Sequence, residues 1–284
     1  MAVPSSGQLR EYADIGVELG VAQTNVSLRG MSQTAGFSTP DAMSEFYGYS
    51  SSICNNVTQP LGDSSAVAFY QFDSSTQGTD AFGNYNLSVS SVSFGWSGKF
   101  NQSGRYYGST SYFCKAGWFP FVYQILTAPY SINFWAKNNA TGGLNDQRMV
   151  QFQDERSTNN HNSLLEIGLN KATGKYVFTS RTNSAASIYS IETGTIVNDV
   201  WEMFTVSVAS NNTSFYHNGN LVGSSNVSNV FASDLYCDFY IGMGRQGWVP
   251  NSFYPFSGYI DQMYVFNRPI TASEVSTLYT QIQC

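Results

Sequence analysis

The 284-residue chain is long enough for one large β-sandwich of roughly 200–250 residues with a small appendage. Apolar residues make up 42% and aromatics 15%, against only 11% charged, so Ser, Thr, Asn, Gln, Gly and Tyr must cover the surface. A formal net charge of −6, with 13 Lys and Arg spread thinly, excludes a basic stripe for nucleic acid, and no apolar run approaches the ~20 residues of a bilayer span.

The start, Met1 to Gln8, carries neither the charged opening nor the apolar run of a secretory signal, so the expectation is synthesis in a host cytoplasm. Leu9, Tyr12, Ile15 and Leu19 recur at helical spacing ahead of Gly20, a C-cap candidate. Thr39 and Pro40 can cap and open a second short helix that closes by Gly48. The stretches SGQLREYADIGVELG, NVSLRGMS and FSTPDAMSEFYGYS are similar to the N-terminal segment of tailed-phage virion and tail-associated proteins. The resemblance implies that residues 1–50 are a helical adaptor docking to other virion proteins.

Residues 51–65, rich in Ser, Asn, Thr and Gly, read as a linker. From Ala66 onward short alternating or aromatic-rich runs are separated by Gly, Asn and Ser clusters, which predicts an antiparallel all-β sandwich over 66–284. Among the runs are 66–72, 131–137, 148–153, 164–168, 176–180, 202–208, 213–217, 237–242 and 259–266. His217-Asn-Gly-Asn220 predicts a tight hairpin, because Asn-Gly tolerates the positive φ angles of a primed turn. Trp135, Trp201, Phe204 and Phe266 are expected to face inward, each ring contributing up to ~3 kcal/mol by burial. Thr271 and Glu274 have the spacing of a capping box that starts a last helix.

The order of landmarks resembles a laminin-G-like, concanavalin-like jelly roll. They are Ala68 to Asp73, Asp80 to Asn84, Trp96-Ser-Gly-Lys-Phe100, Tyr130 to Lys137, Trp201 to Val208, Phe215 to Val222, and Phe256 to Asp261 running on to Tyr279. The resemblance implies a calcium site where the Asp80-to-Asn84 loop, with Asp73 nearby, meets Asp261. Gln262 stands where that family often has a second acid.

Catalysis is not expected. Glycoside hydrolysis needs two facing carboxyl groups, and no ExDxxE-type run is present; Asp154 and Glu155 are adjacent and would point to opposite faces of a strand. His161, in an Asn-rich stretch, reads as solvated loop and His217 as turn filler, with no Gly-x-Ser-x-Gly elbow to partner either. Cys54, Cys114, Cys237 and Cys284 show no zinc spacing; three pairings are open, a Cys54–Cys284 bridge suits neighbouring sandwich termini, and free thiols are the alternative. The Asn-x-Ser/Thr triplets at Asn56, Asn86, Asn101, Asn212 and Asn226 matter only in a secreted chain.

Ligand recognition is assigned to loop aromatics with polar neighbours, since sugar rings stack on such side chains while amides and guanidinium groups read hydroxyls. Trp118, Arg245, Trp248, Asn251 and Tyr254 are the candidates, with Phe119, Phe121 and Phe253 beside them. The expectation is a homo-oligomeric, structural or adhesive virion protein that contacts a host surface glycan. A secreted carbohydrate-binding lectin and a polysaccharide depolymerase are the alternatives.

Overall fold

A computed structural model describes residues 59–109, 113–116, 127–139, 146–154, 163–181, 188–226, 237–244 and 253–280. The adaptor expected at 1–50 lies outside the described residues, as do Trp118, Arg245, Trp248, Asn251 and His161. Residues 56–281 fall in one compact unit.

Among the described residues the chain forms two antiparallel sheets, the jelly-roll sandwich expected. The first, eight-stranded, runs β13 (Asn220–Ser225), β12 (Asn212–His217), β11 (Trp201–Ala209), β6 (Tyr130–Asn138), β15 (Ser257–Phe266), β4 (Gln102–Tyr107) and β3 (Ser93–Ser97), with β1 (Ala66–Tyr70) also paired to β15. The second, seven-stranded, runs β10 (Ile188–Thr193), β9 (Lys175–Arg181), β8 (Ser163–Asn170), β7 (Gln147–Asp154), β14 (Cys237–Ile241), β5 (Phe113–Ala116) and β2 (Ser88–Ser90). Alternate residues of both sheets, among them Phe134, Phe204, Phe152, Ile167, Phe178 and Ile260, fill the space between them. The hairpin joining β12 to β13 turns at Asn218 (φ 48°) and Gly219 (φ 81°), with His217 opposite Asn220, as the Asn-Gly pair predicts.

The expectation that Trp135, Trp201, Phe204 and Phe266 all face inward is corrected in part. Phe204 packs between the sheets, whereas Trp135 and Phe266 belong to a second apolar cluster with Phe69, Met203, Tyr264, Val275 and Leu278, and Trp201 is half-buried at its margin. Val275 and Leu278 come from helix α1 (Ala272–Thr280), which covers the outer side of the first sheet. A sheet covered on both faces has no polar side, which is why β6 is buried along nearly its whole length and lacks alternation.

The sandwich also reaches back into the stretch predicted as linker. Leu61 packs against the second cluster, and the Asp63 carboxylate accepts from the Arg268 guanidinium at 2.6 Å. Arg268 donates as well to Glu274 Oε1 at 2.6 Å. Glu274 accepts the Thr271 amide (2.7 Å) while Thr271 Oγ1 accepts the Glu274 amide (3.3 Å), which completes the predicted capping box. The Arg268 hydrogen bond, ahead of those from Thr271, holds the Glu274 carboxyl down at about 2. A carboxylate held below its ordinary 4.5 stabilises the fold above that pH and loses the contribution as pH falls towards 2. Glu274→Ala is expected to cost about 1 kcal/mol in urea unfolding at pH 7, with the difference from the parent shrinking below pH 4.

Candidate ligand-binding site

The outer face of the second sheet carries a continuous polar row. Cross-strand register places Ser190, Thr179, Glu166, Gln151, Tyr240, Lys115 and Ser88 side by side, one from each strand from β10 to β2. All point away from the inter-sheet core, because their neighbours Phe178, Ile167, Val150, Phe239 and Cys114 point into it. Asp238 and Gln153 stand opposite one another, one step along the same face.

The row is held by charge-assisted bonds. Arg148 Nε donates to Glu166 Oε2 at 2.7 Å, and Gln151 Nε2 donates to Glu166 Oε1 at 3.3 Å. Lys115 pairs with Asp238 and lies 5.2 Å from the Tyr240 ring centroid. Its ammonium is held charged despite burial by the Asp238 and Tyr240 contacts, which together raise its pKa. Thr179 and Ser190 share a hydroxyl contact of 3.2 Å. The middle of the row is shut off from solvent, Gln151 being 0% and Glu166 5% exposed, while the Lys115 side chain keeps 33%.

Of the five predicted ligand-binding residues, Tyr254 alone is described, and the structure brings it to this face. Its carbonyl accepts the Arg148 amide at 3.0 Å, its backbone exchanges two hydrogen bonds with Gly244, and the Arg148 guanidinium lies 4.8 Å from its ring centroid. Tyr254 is half-buried, and that burial raises its phenol above the usual value. Lys115, Arg148, Glu166 and Tyr240 were missed by sequence reasoning; they are 18 to 125 residues apart in the chain and meet only through sheet register.

The predicted calcium ligands do not form one site. Asp80 is 1% exposed and spends both oxygens on backbone amides: Oδ1 accepts from Phe69 (2.9 Å) and Phe82 (3.2 Å), Oδ2 from Asn84 and Tyr85 (both 3.1 Å). Asn84 is exposed and contributes its amide, not its side-chain oxygen, to Asp80. Asp73 and Asp261 do come together on one turn. Asp73 Oδ1 accepts the Gln102 amide at 3.1 Å and Asp261 Oδ2 the Phe100 amide at 2.9 Å. A Cβ on Gly98 would fall 2.6 Å from Asp261 Oδ2, which accounts for the glycine in that landmark. Asp261 is 0% exposed and, among the described residues, its Oδ1 has no hydrogen-bond partner. Burial, reinforced by the Asp73 charge, raises its carboxyl to about 8 against the pull of backbone amides. Among the described residues no three His, Cys, Asp or Glu side chains group as a metal site.

His217 is more than a turn residue. Its Nε2 meets Glu202 Oε1 at 2.9 Å and its ring stacks on Phe204 with centroids 5.1 Å apart, while Tyr176 donates to Glu202 Oε2. Cys114 is a buried free thiol beside the Tyr106 hydroxyl, and burial raises it to about 12, which removes it from thiolate chemistry. No helix among the described residues is long and apolar enough to cross a membrane.

Residues 119–276 match the family model of the concanavalin A-like lectin/glucanases superfamily. The chain belongs to that superfamily. No curated protein is matched by its sequence. Solved structures share the sandwich at low identity. Trypanosoma rangeli sialidase in complex with sialic acid superposes with TM-score 0.59 at 15% identity, over 76% of this chain and 33% of the sialidase, so the superfamily domain described here spans about a third of that enzyme. Domain 4 of AbnA, a GH43 extracellular arabinanase from Geobacillus stearothermophilus, in complex with arabinotriose, gives 0.54 at 19% identity over 76% of this chain and 98% of that domain. The binding domain of Paraclostridial Mosquitocidal Protein 1 gives 0.54 at 17%, over 76% and 52%. These likenesses establish the lectin-like sandwich fold.

Proposed function

We propose that the protein is a non-catalytic carbohydrate-binding module whose ligand sits on the outer face of the second sheet, against Tyr254, Arg148 and Lys115. The observation that carries this reading is the joining of a loop aromatic to a polar row already held in place by Arg148–Glu166 and Lys115–Asp238. A sugar ring stacks on the open part of Tyr254, and the guanidinium and ammonium donate to its hydroxyls. The superfamily and the arabinotriose complex of the arabinanase domain lend support.

Hydrolysis is disfavoured by the same geometry. Glu166 and Asp238 lie two strands and two residues apart on one face, and neither is left free to serve as acid or base. Each carboxylate is drawn to its own cation. Binding of the full chain to an arrayed glycan panel tests the proposal. Tyr254→Ala and Arg148→Ala are each expected to weaken the selected glycan about tenfold or more. An unaffected Tyr254→Ala variant places the ligand elsewhere, and release of reducing ends would make the protein a depolymerase.

The module is proposed to be displayed on a tailed-phage particle in several copies, with residues 1–50 as the docking arm; the N-terminal sequence pattern supports this. Crosslinking mass spectrometry of purified particles checks it through contacts of residues 1–50, and recovery only as a free secreted protein overturns it. A calcium ion is proposed solely for the Asp73–Asp261 pair, whose orphan oxygen and like charges suit a hard dication completed by backbone carbonyls or water.

A further inference from the structure

The outer face of the first sheet carries a second row, of different chemistry. Register sets Ser93, Arg105, Tyr259, Lys137 and Trp201 side by side across β3, β4, β15, β6 and β11. This row lies one step beyond Met203, Trp135 and Asp261, which belong to the covered part of the sheet. Cations and rings alternate along it. The Arg105 guanidinium lies 4.4 Å from the Trp96 ring centroid, 4.6 Å from that of Tyr107 and 5.5 Å from that of Tyr259. The Lys137 ammonium lies 4.4 Å from the Tyr259 centroid and 5.2 Å from that of Trp201. Trp96 and Tyr107 remain 37% and 41% exposed, and Arg105, Tyr259, Lys137 and Trp201 are half-buried.

Neutralisation separates this row from three of the other cations. Lys115, Arg148 and Arg268 each meet a carboxylate. Arg105 and Lys137 meet rings and, among the described residues, no carboxylate. Two unneutralised charges are thus fixed side by side in a chain of net charge −6. The ring contacts hold both side chains in place, so little freedom is lost when an anion arrives.

We propose that this face binds an acidic polysaccharide laid across β3 to β11, its acid groups on Arg105 and Lys137 and its sugar rings against Trp96, Tyr259 and Trp201. Spacing selects the ligand. Arg105 and Lys137 flank β15 and share the Tyr259 ring, whose centroid is 5.5 Å from one charge and 4.4 Å from the other, so the two charges are at most about 10 Å apart. Nucleic acid presents a charge about every 3.4 Å per strand and needs a denser set of cations. A glycan carries its acids at sugar-length intervals with an apolar ring face between them, which matches the alternation of cation and ring. The site is separate from the second sheet's row and stands whether or not that row binds a neutral glycan.

The test is isothermal titration of the full chain with polygalacturonate at low ionic strength, with neutral arabinan and polyglutamate as comparison polymers. The parent is expected to bind polygalacturonate, and Arg105→Gln/Lys137→Gln to bind it at least about tenfold more weakly with an unchanged melting temperature. Trp96→Ala weakens polygalacturonate without removing a charge, a loss that electrostatics alone does not produce. Absence of polygalacturonate binding, or binding undiminished in the double variant, overturns the proposal. Equal binding of polyglutamate, with Trp96→Ala silent, assigns the face to acidic polymers in general and overturns the glycan assignment. Arabinan binding in the parent, retained in the double variant, belongs to the second sheet, so failure of one site is distinguishable from failure of the other.

Discussion

Asp80→Ala is expected to destabilise the fold by about 4 kcal/mol or more in urea unfolding, equally in calcium and in chelator. The substitution strips acceptors from the amides of Phe69, Phe82, Asn84 and Tyr85 at a position 1% exposed. A hydrogen bond to a charged group contributes roughly 1.5–3 kcal/mol, and each amide left buried without a partner adds a desolvation cost of about 1–3 kcal/mol. Water entering the vacated space recovers part of this, which sets the estimate below the simple total. The consequence extends beyond the loop. Phe69 stacks on Tyr264 with centroids 4.2 Å apart, and β1 joins the sheet through β15, so releasing the Phe69 amide loosens the strand that begins the sandwich. Asp80→Asn is no rescue, because its amide nitrogen would face two of the four N–H donors. A loss under 1 kcal/mol would show that Asp80 is not a brace, and a loss that appears only in calcium would show it to be a ligand.

The roles of Asp80 and Asp261 also mark where sequence reading stops. Both were legible as important acids, since each sits in a landmark on which the jelly-roll resemblance was read. Which was spent on its own backbone was not legible, because the decision rests on amides up to 11 residues from Asp80 and on a turn at Phe100 that is 161 residues from Asp261. The sheets themselves were readable wherever one face is wet: Asn212 to Phe215 alternates, and Asn218-Gly219 announces its hairpin. They were misread at Trp135, where α1 and residues from Leu61 onward cover the second face and erase the period of two. Functional rows fare worst. Tyr254 is recognisable as an aromatic in a polar stretch, but its partner Arg148 lies in β7, and Arg105, Tyr259 and Lys137 become neighbours only when β4, β15 and β6 pair. Binary pattern predicts that a residue faces outward; register, set by long-range pairing, decides what stands beside it.

The second large effect is a loss of stability with rising pH, in the absence of calcium, traced to Asp261. Its carboxyl is raised from 3.8 to about 8, chiefly by burial and then by the Asp73 charge. An acid that holds its proton more tightly when folded contributes stability that is fully present below pH 3.8 and is lost as pH rises through about 8. At ~1.4 kcal/mol per pH unit the window limits the effect to the order of 5 kcal/mol. In chelator, urea unfolding is therefore expected to show stability declining from about pH 5 to pH 8, and Asp261→Asn is expected to flatten that decline while leaving the protein folded at pH 8. The asparagine keeps an acceptor for the Phe100 amide and removes the buried charge. Calcium then discriminates between two ways of satisfying the orphan Oδ1. Where a dication binds, calcium raises the pH 8 stability of the parent and leaves Asp261→Asn unmoved, and the pH slope of the parent disappears. Where the proton alone does so, calcium changes neither protein and the slope persists. A parent whose stability is flat from pH 5 to pH 8 in chelator would mean that Asp261 is ionised throughout and that its surroundings already neutralise it.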